Sequence, residues 1–100
     1  MLTLLATITI LAAPSPELCR DFGVDVPDGS EATGRIVEYH IADQRTVNAR
    51  CQRPFGSVRG CAIPVNEDEY VIYVIDSPVA RLHEECHSLH QTKEHVKEQQ

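Results

Sequence analysis

Two histidines four residues apart, with a glutamate directly after the first, are the part of this chain best equipped for chemistry. His83-Glu84-Glu85-Cys86-His87 reads H-E-x-x-H. On a helix, residues i and i+4 lie one above the other on the same face, so both imidazoles can reach a single zinc ion. Glu84 can turn toward a water molecule activated by that metal and take its proton as a general base. With 5 histidines in 100 residues, a chance match somewhere in the chain has a probability of roughly 2 %. The bland alternative is a solvated helix face carrying two unrelated histidines, and the surrounding elements weigh against it.

Those elements begin just upstream. Tyr70-Val71-Ile72-Tyr73-Val74-Ile75 is a run of aromatic and β-branched residues, the composition of a strand buried on both faces. Asp76-Ser77-Pro78 follows, with Ser77 placed to cap a helix and Pro78 suited to its first position. Val79, Leu82, Cys86 and Leu89 then recur at i, i+3, i+7 and i+10 and mark one apolar helical face. His83, His87, His90 and Glu94 form the adjacent stripe. A buried strand leading into a helix that carries two histidines beside its core face is a setting that suits a metal site.

With Gly60-Cys61-Ala62 at an apparent strand start, the strand over residues 70–75 and Leu82-His83-Glu84-Glu85-Cys86-His87 followed by a later histidine, the chain resembles the zincins, the H-E-x-x-H zinc metallopeptidases. More narrowly, it is similar to the very small metallopeptidases of bacterial and phage genomes, over roughly residues 60–95. The resemblance implies that His83 and His87 ligate zinc, that Glu84 is the catalytic base, and that an edge strand near the site holds an extended peptide or protein substrate. It departs from the best-known subgroups in the third ligand, because no Gly or Pro lies between His87 and His95 and no second ligand-bearing helix follows. His90 shares the stripe, but seven residues separate it from His83, about 10 Å along a straight helix. His95 is the preferred third ligand, provided the helix ends near residues 89–92; His90, or an upstream group such as His40 or an acidic side chain, are the alternatives. Tyr70, Tyr73, His90 and Arg81 are candidates for stabilising an oxyanion.

The remaining sequence bounds the answer. One hundred residues make one small domain, and a formal net charge of −6 argues against nucleic acid, which needs clustered Lys and Arg. Residues 1–13 contain an apolar stretch too short to span a bilayer but suited to a signal-peptide core, although no basic residue precedes it; Ala6-Thr7-Ile8-Thr9-Ile10-Leu11 would also serve as a first strand. Residues 14–100 then form the single domain. Four cysteines, an even number, suggest an oxidising compartment, hence secretion or the periplasm, with the cytoplasm as the alternative. A Cys51–Cys61 bridge would close the turn-rich loop between them, leaving Cys19 and Cys86 to pair or stay reduced, Cys86 packing as a small hydrophobe.

In the middle of the chain, residues 34–41 and 46–51 alternate as two antiparallel strands joined by a turn at Ala42-Asp43-Gln44-Arg45, with Val37, Tyr39 and Ile41 on one face. Asp28-Gly29 signals a turn, and Pro64 demotes Cys61-Ala62-Ile63-Pro64-Val65 to a sheet edge. The expected fold is α+β: a small, mainly antiparallel sheet packed against one C-terminal helix bearing zinc. The expected activity is zinc-dependent hydrolysis of peptide bonds. A catalytically idle zinc-binding protein, or a disulfide-stabilised interaction protein, is the alternative.

Overall fold

The structure, a computed structural model, describes residues 13–52 and 58–97. The apolar N-terminal stretch, expected as signal peptide or strand, and most of the turn-rich loop before Gly60 lie outside these residues. Helix α1 (Pro16–Asp21) is followed by strand β1 (Arg35–Ile41), helix α2 (Gln44–Arg50), strands β2 (Gly60–Pro64) and β3 (Glu69–Val74), and helix α3 (Pro78–Leu89). The strands form one sheet in the order β1-β3-β2. The chain is thus α+β, a small sheet packed with a C-terminal helix. The sheet is mixed: β2 pairs antiparallel with β3, whereas β1 runs parallel to it.

The strand expected over residues 46–51 is helix α2, and that change makes the parallel pairing possible. The Asp43 carboxylate caps it by accepting from the Thr46 N–H at 2.8 Å, and Val47 is fully buried. Val47, Ala49 and Cys51 do alternate, but Val47 and Cys51 are also one helical turn apart, and the cap decides between the two periods. Helix α1 starts in the same manner, with Ser15 accepting from the Leu18 N–H and Pro16 in the first turn.

β3 is the central strand. Ile72 and Val74 point to one face and pack with Ala80 of α3, joined by Ile36, Tyr39 and Ala62. A register shift between Ile36 and Glu38 interrupts the alternation of β1. Ile36 and Tyr39 therefore share the core face, while Val37 and Ile41, expected beside Tyr39, stand 45 % and 48 % exposed. On the opposite face Tyr73 stacks on His40, with the Arg50 guanidinium over its ring.

A second small core joins α1 to α3. It consists of Cys19, Val24, Val26 and Cys86, with Leu82 against them. Cys19 and Cys86 are disulfide-bonded, as are Cys51 and Cys61. Cys86 is therefore a covalent tie rather than a free apolar side chain. Val79, the first member of the expected apolar helix face, is 49 % exposed because it lines a cleft instead of the core. Two disulfides fit an oxidising compartment. Among the described residues, no helix is long and apolar enough to cross a membrane.

Candidate metal centre

Helix α3 begins where the sequence indicates, with Ser77 accepting from the Ala80 N–H and Pro78 in the first turn. It ends at Leu89, with His90 as its C-cap. Gln91 then takes φ +49°, the left-handed conformation usually given to glycine. The Thr92 N–H donates to the His87 carbonyl and the Gln91 N–H to the Ser88 carbonyl, the paired bonds that close a helix whose next residue is left-handed. The helix break that His95 requires is therefore present, built without Gly or Pro.

Beyond the break the chain returns alongside the loop after α1. The Asp25 N–H donates to the Glu94 carbonyl at 3.0 Å, and the Val96 N–H to the Gly23 carbonyl at 2.9 Å. Val24 and His95 form an antiparallel bridge between them. This clamp sets His95 beside α3. The His87 Nε2 lies 3.1 Å from the Nε2 of His83 and 3.1 Å from the Nε2 of His95. One ligand atom from each of the three lies within 4.8 Å of the others, an arrangement that could hold a metal ion.

The far side of two of these rings decides what the near side can do. His83 Nδ1 is 2.7 Å from the Phe22 carbonyl, and His87 Nδ1 is 2.7 Å from the Thr92 carbonyl. A carbonyl oxygen only accepts, so each Nδ1 carries the proton and donates, and each Nε2 of the neutral ring presents a lone pair. Burial foremost pushes His87 from 6.5 down to about 4, aided by the neighbouring His83 and His95 and opposed by the Thr92 carbonyl. It is therefore neutral near pH 7. With both Nδ1 atoms turned to carbonyls, the Nε2 atoms of His83 and His87 face each other at 3.1 Å, and a cation held between their lone pairs would satisfy both. Nitrogens on a tetrahedral zinc, bonded at 2.0–2.1 Å, sit about 3.4 Å apart. The donor set fits such an ion, and orientation of the rings by backbone carbonyls is the usual outer-shell device at histidine metal sites.

Glu84 is 7 % exposed and sits between the first two histidines on the wall of the cleft. No described residue gives its carboxyl a hydrogen bond or an opposite charge, and burial alone raises its pKa from 4.5 to about 7. Gly60, at the start of β2, makes room for it, since a Cβ there would lie 3.0 Å from Glu84 Cγ and 2.8 Å from Val74 Cγ2. The cleft has a volume of about 910 Å³, and Gly60, Ala62 and Pro64 of β2 form one of its sides. β2 is an edge strand, as Pro64 indicated.

The alternative ligands stand elsewhere. His40 stacks on Tyr73 on the other sheet face, and His90 Nε2 donates to the Pro14 carbonyl at 2.7 Å. Among the four oxyanion candidates only Tyr70 lines the cleft. Tyr73 is on the far face, His90 is engaged with Pro14, and Arg81 turns toward Tyr39 and Asp76. Sequence reasoning missed residues 22–25, whose contribution is mainly backbone carbonyls and N–H groups. Gly23, with φ +90°, was the one visible signal there.

Comparison with protein-family models, curated proteins and solved structures returned no match to this chain.

Proposed function

We propose that this protein is a zinc-dependent peptidase of minimal size, with His83, His87 and His95 as ligands and Glu84 as general base. The observation that carries this proposal is the pair of carbonyl-fixed imidazoles whose Nε2 atoms converge with that of His95, beside a buried carboxyl. Among the described residues three side chains would hold the ion, which would leave a fourth position for water or substrate, the pattern of a catalytic rather than a structural zinc site.

Zinc held there supplies Lewis acidity, polarising the scissile carbonyl and lowering the pKa of water. Glu84 takes the proton of the attacking water and delivers it to the leaving amine as the C–N bond breaks. Burial raises the carboxyl of Glu84 in the metal-free site, and a bound cation beside it would draw it back toward the carboxylate form that a general base needs. The edge of β2, unpaired among the described residues, offers N–H and C=O groups to an extended peptide, which would lie along the cleft as an added strand.

The test uses protein purified without a histidine tag. One zinc per chain and cleavage of unstructured protein substrates are expected, with Glu84→Gln keeping the zinc and losing the cleavage. Zinc retention without cleavage in the wild type would favour an idle metal-binding protein. Retention of one zinc per chain by the His83→Ala/His87→Ala double variant would refute the site itself.

A further inference from the structure

The three proposed ligands are not held by helix α3 alone. His83 and His87 belong to it, but the carbonyl that orients His83 is that of Phe22, and the clamp that sets His95 is built on Gly23, Val24 and Asp25. These residues follow α1 directly. The tie between α1 and α3 is the small core of Cys19, Val24, Val26 and Cys86 with Leu82. Half of its fully buried members are the two bonded cysteines, and Cys86 immediately precedes His87 in the chain.

We propose that the Cys19–Cys86 disulfide is a positioning element of the metal centre, so that the site is assembled only in the oxidised chain. Resting on the zinc centre proposed above, the inference adds a redox condition to it. When a dithiol reductant passes two electrons into the bond, the S–S bond breaks and each sulfur becomes a thiol, taking a proton from the reductant. The reductant closes its own disulfide. What remains between α1 and α3 is then Val24, Val26 and Leu82 packing beside two thiols. Residues 22–25 gain freedom, and with them go the hydrogen bond that fixes the tautomer of His83 and the clamp on His95. The consequence is a protein that binds zinc weakly as a reduced chain and tightly once oxidised. Cys51–Cys61 joins the end of α2 to β2; Cys61 lines the cleft, but neither cysteine belongs to the small core between α1 and α3 or to residues 22–25.

The experiment measures zinc affinity by competition with a chromophoric chelator, using alanine variants so that no free thiol competes for the metal. Cys19→Ala/Cys86→Ala is expected to bind zinc more than tenfold more weakly than the oxidised wild type. Cys51→Ala/Cys61→Ala, which loses the same number of sulfurs, is expected to stay within about threefold. Gly23→Ala keeps both bridges but strains a residue at φ +90° whose Cβ would touch the His83 ring at 3.5 Å. It should also weaken zinc by more than tenfold with the far-UV circular dichroism unchanged; if the first variant does not fold, wild-type affinity here still overturns the route through residues 22–25 by which the bridge acts. Equal weakening by the two cysteine pairs, or wild-type affinity in the folded Cys19→Ala/Cys86→Ala or Gly23→Ala protein, would overturn this role for the bridge while leaving the zinc site standing. An oxidised wild type that binds no zinc would overturn both.

Discussion

Replacing Glu84 by Gln should make the metal-free protein more stable in alkali relative to the wild type, by an amount the burial of this carboxyl sets. Burial raises its pKa from 4.5 to about 7, with no described hydrogen bond or cation to offset the cost. Below pH 4.5 the group is protonated in both the folded and the unfolded chain and costs nothing. Between 4.5 and 7 the folded chain binds more protons than the unfolded one, so stability falls as pH rises. Above about pH 8 the loss is complete, and at 1.36 kcal/mol per pKa unit it amounts to roughly 3 kcal/mol. His87 works in the opposite direction. Its depressed pKa makes stability rise between about 4 and 6.5, but it does so in both proteins and cancels from their difference. The assay is urea denaturation in EDTA with disulfides intact, at pH 4 and pH 8.5, for the wild type and Glu84→Gln. The amide adds a pH-independent offset of its own, so the quantity of interest is the change in the difference between the two pH values. A change of about 3 kcal/mol in favour of the variant is expected. A difference that stays constant within about 1 kcal/mol would show that Glu84 is not desolvated in the metal-free fold.

Three further outcomes are expected. His95→Ala should lower zinc affinity more than tenfold, about 1.4 kcal/mol or more, by the chelator competition above, with a smaller effect for His90→Ala, whose ring bonds to Pro14; the reverse order would move the third ligand to His90. Gly34→Ala should lower the urea midpoint by the equivalent of about 2 kcal/mol, because the new Cβ would meet the Ser88 carbonyl oxygen at 1.9 Å, and an unchanged midpoint would contradict the approach of β1 to the end of α3. Mass spectrometry of protein from its natural compartment should find Cys19 linked to Cys86 and Cys51 to Cys61, whereas four free thiols would place the chain in a reducing compartment.

Much of the candidate metal centre was legible in local sequence because its chemistry is local. The spacing of His83 and His87, the Ser77-Pro78 start and the β-branched run of β3 each depend on neighbours within a turn or a strand. Local patterns were less decisive where two periods coincide. Val47, Ala49 and Cys51 alternate as a strand would, yet the Asp43 cap makes that segment a helix and so turns the pairing of β1 with β3 parallel. In α1, Ser15, Pro16 and Glu17 are a helix start that six residues were too short to advertise.

The residue types of the site, then, are a property of the sequence: two imidazoles on one helical face, a carboxyl between them, and a third histidine further along. Their convergence is a property of the fold. Nothing in residues 89–92 demands the left-handed turn at Gln91; tertiary contacts hold it, among them the Gln91 amide donating to Thr33 Oγ1 and the Gly34 N–H donating to the Leu89 carbonyl. His95 is brought back by a clamp to residues 22–25, about seventy positions earlier in the chain. Tautomer, burial and pKa follow from those long-range contacts, because a backbone carbonyl or a wall of apolar side chains acts through space on whichever residue the fold sets beside it.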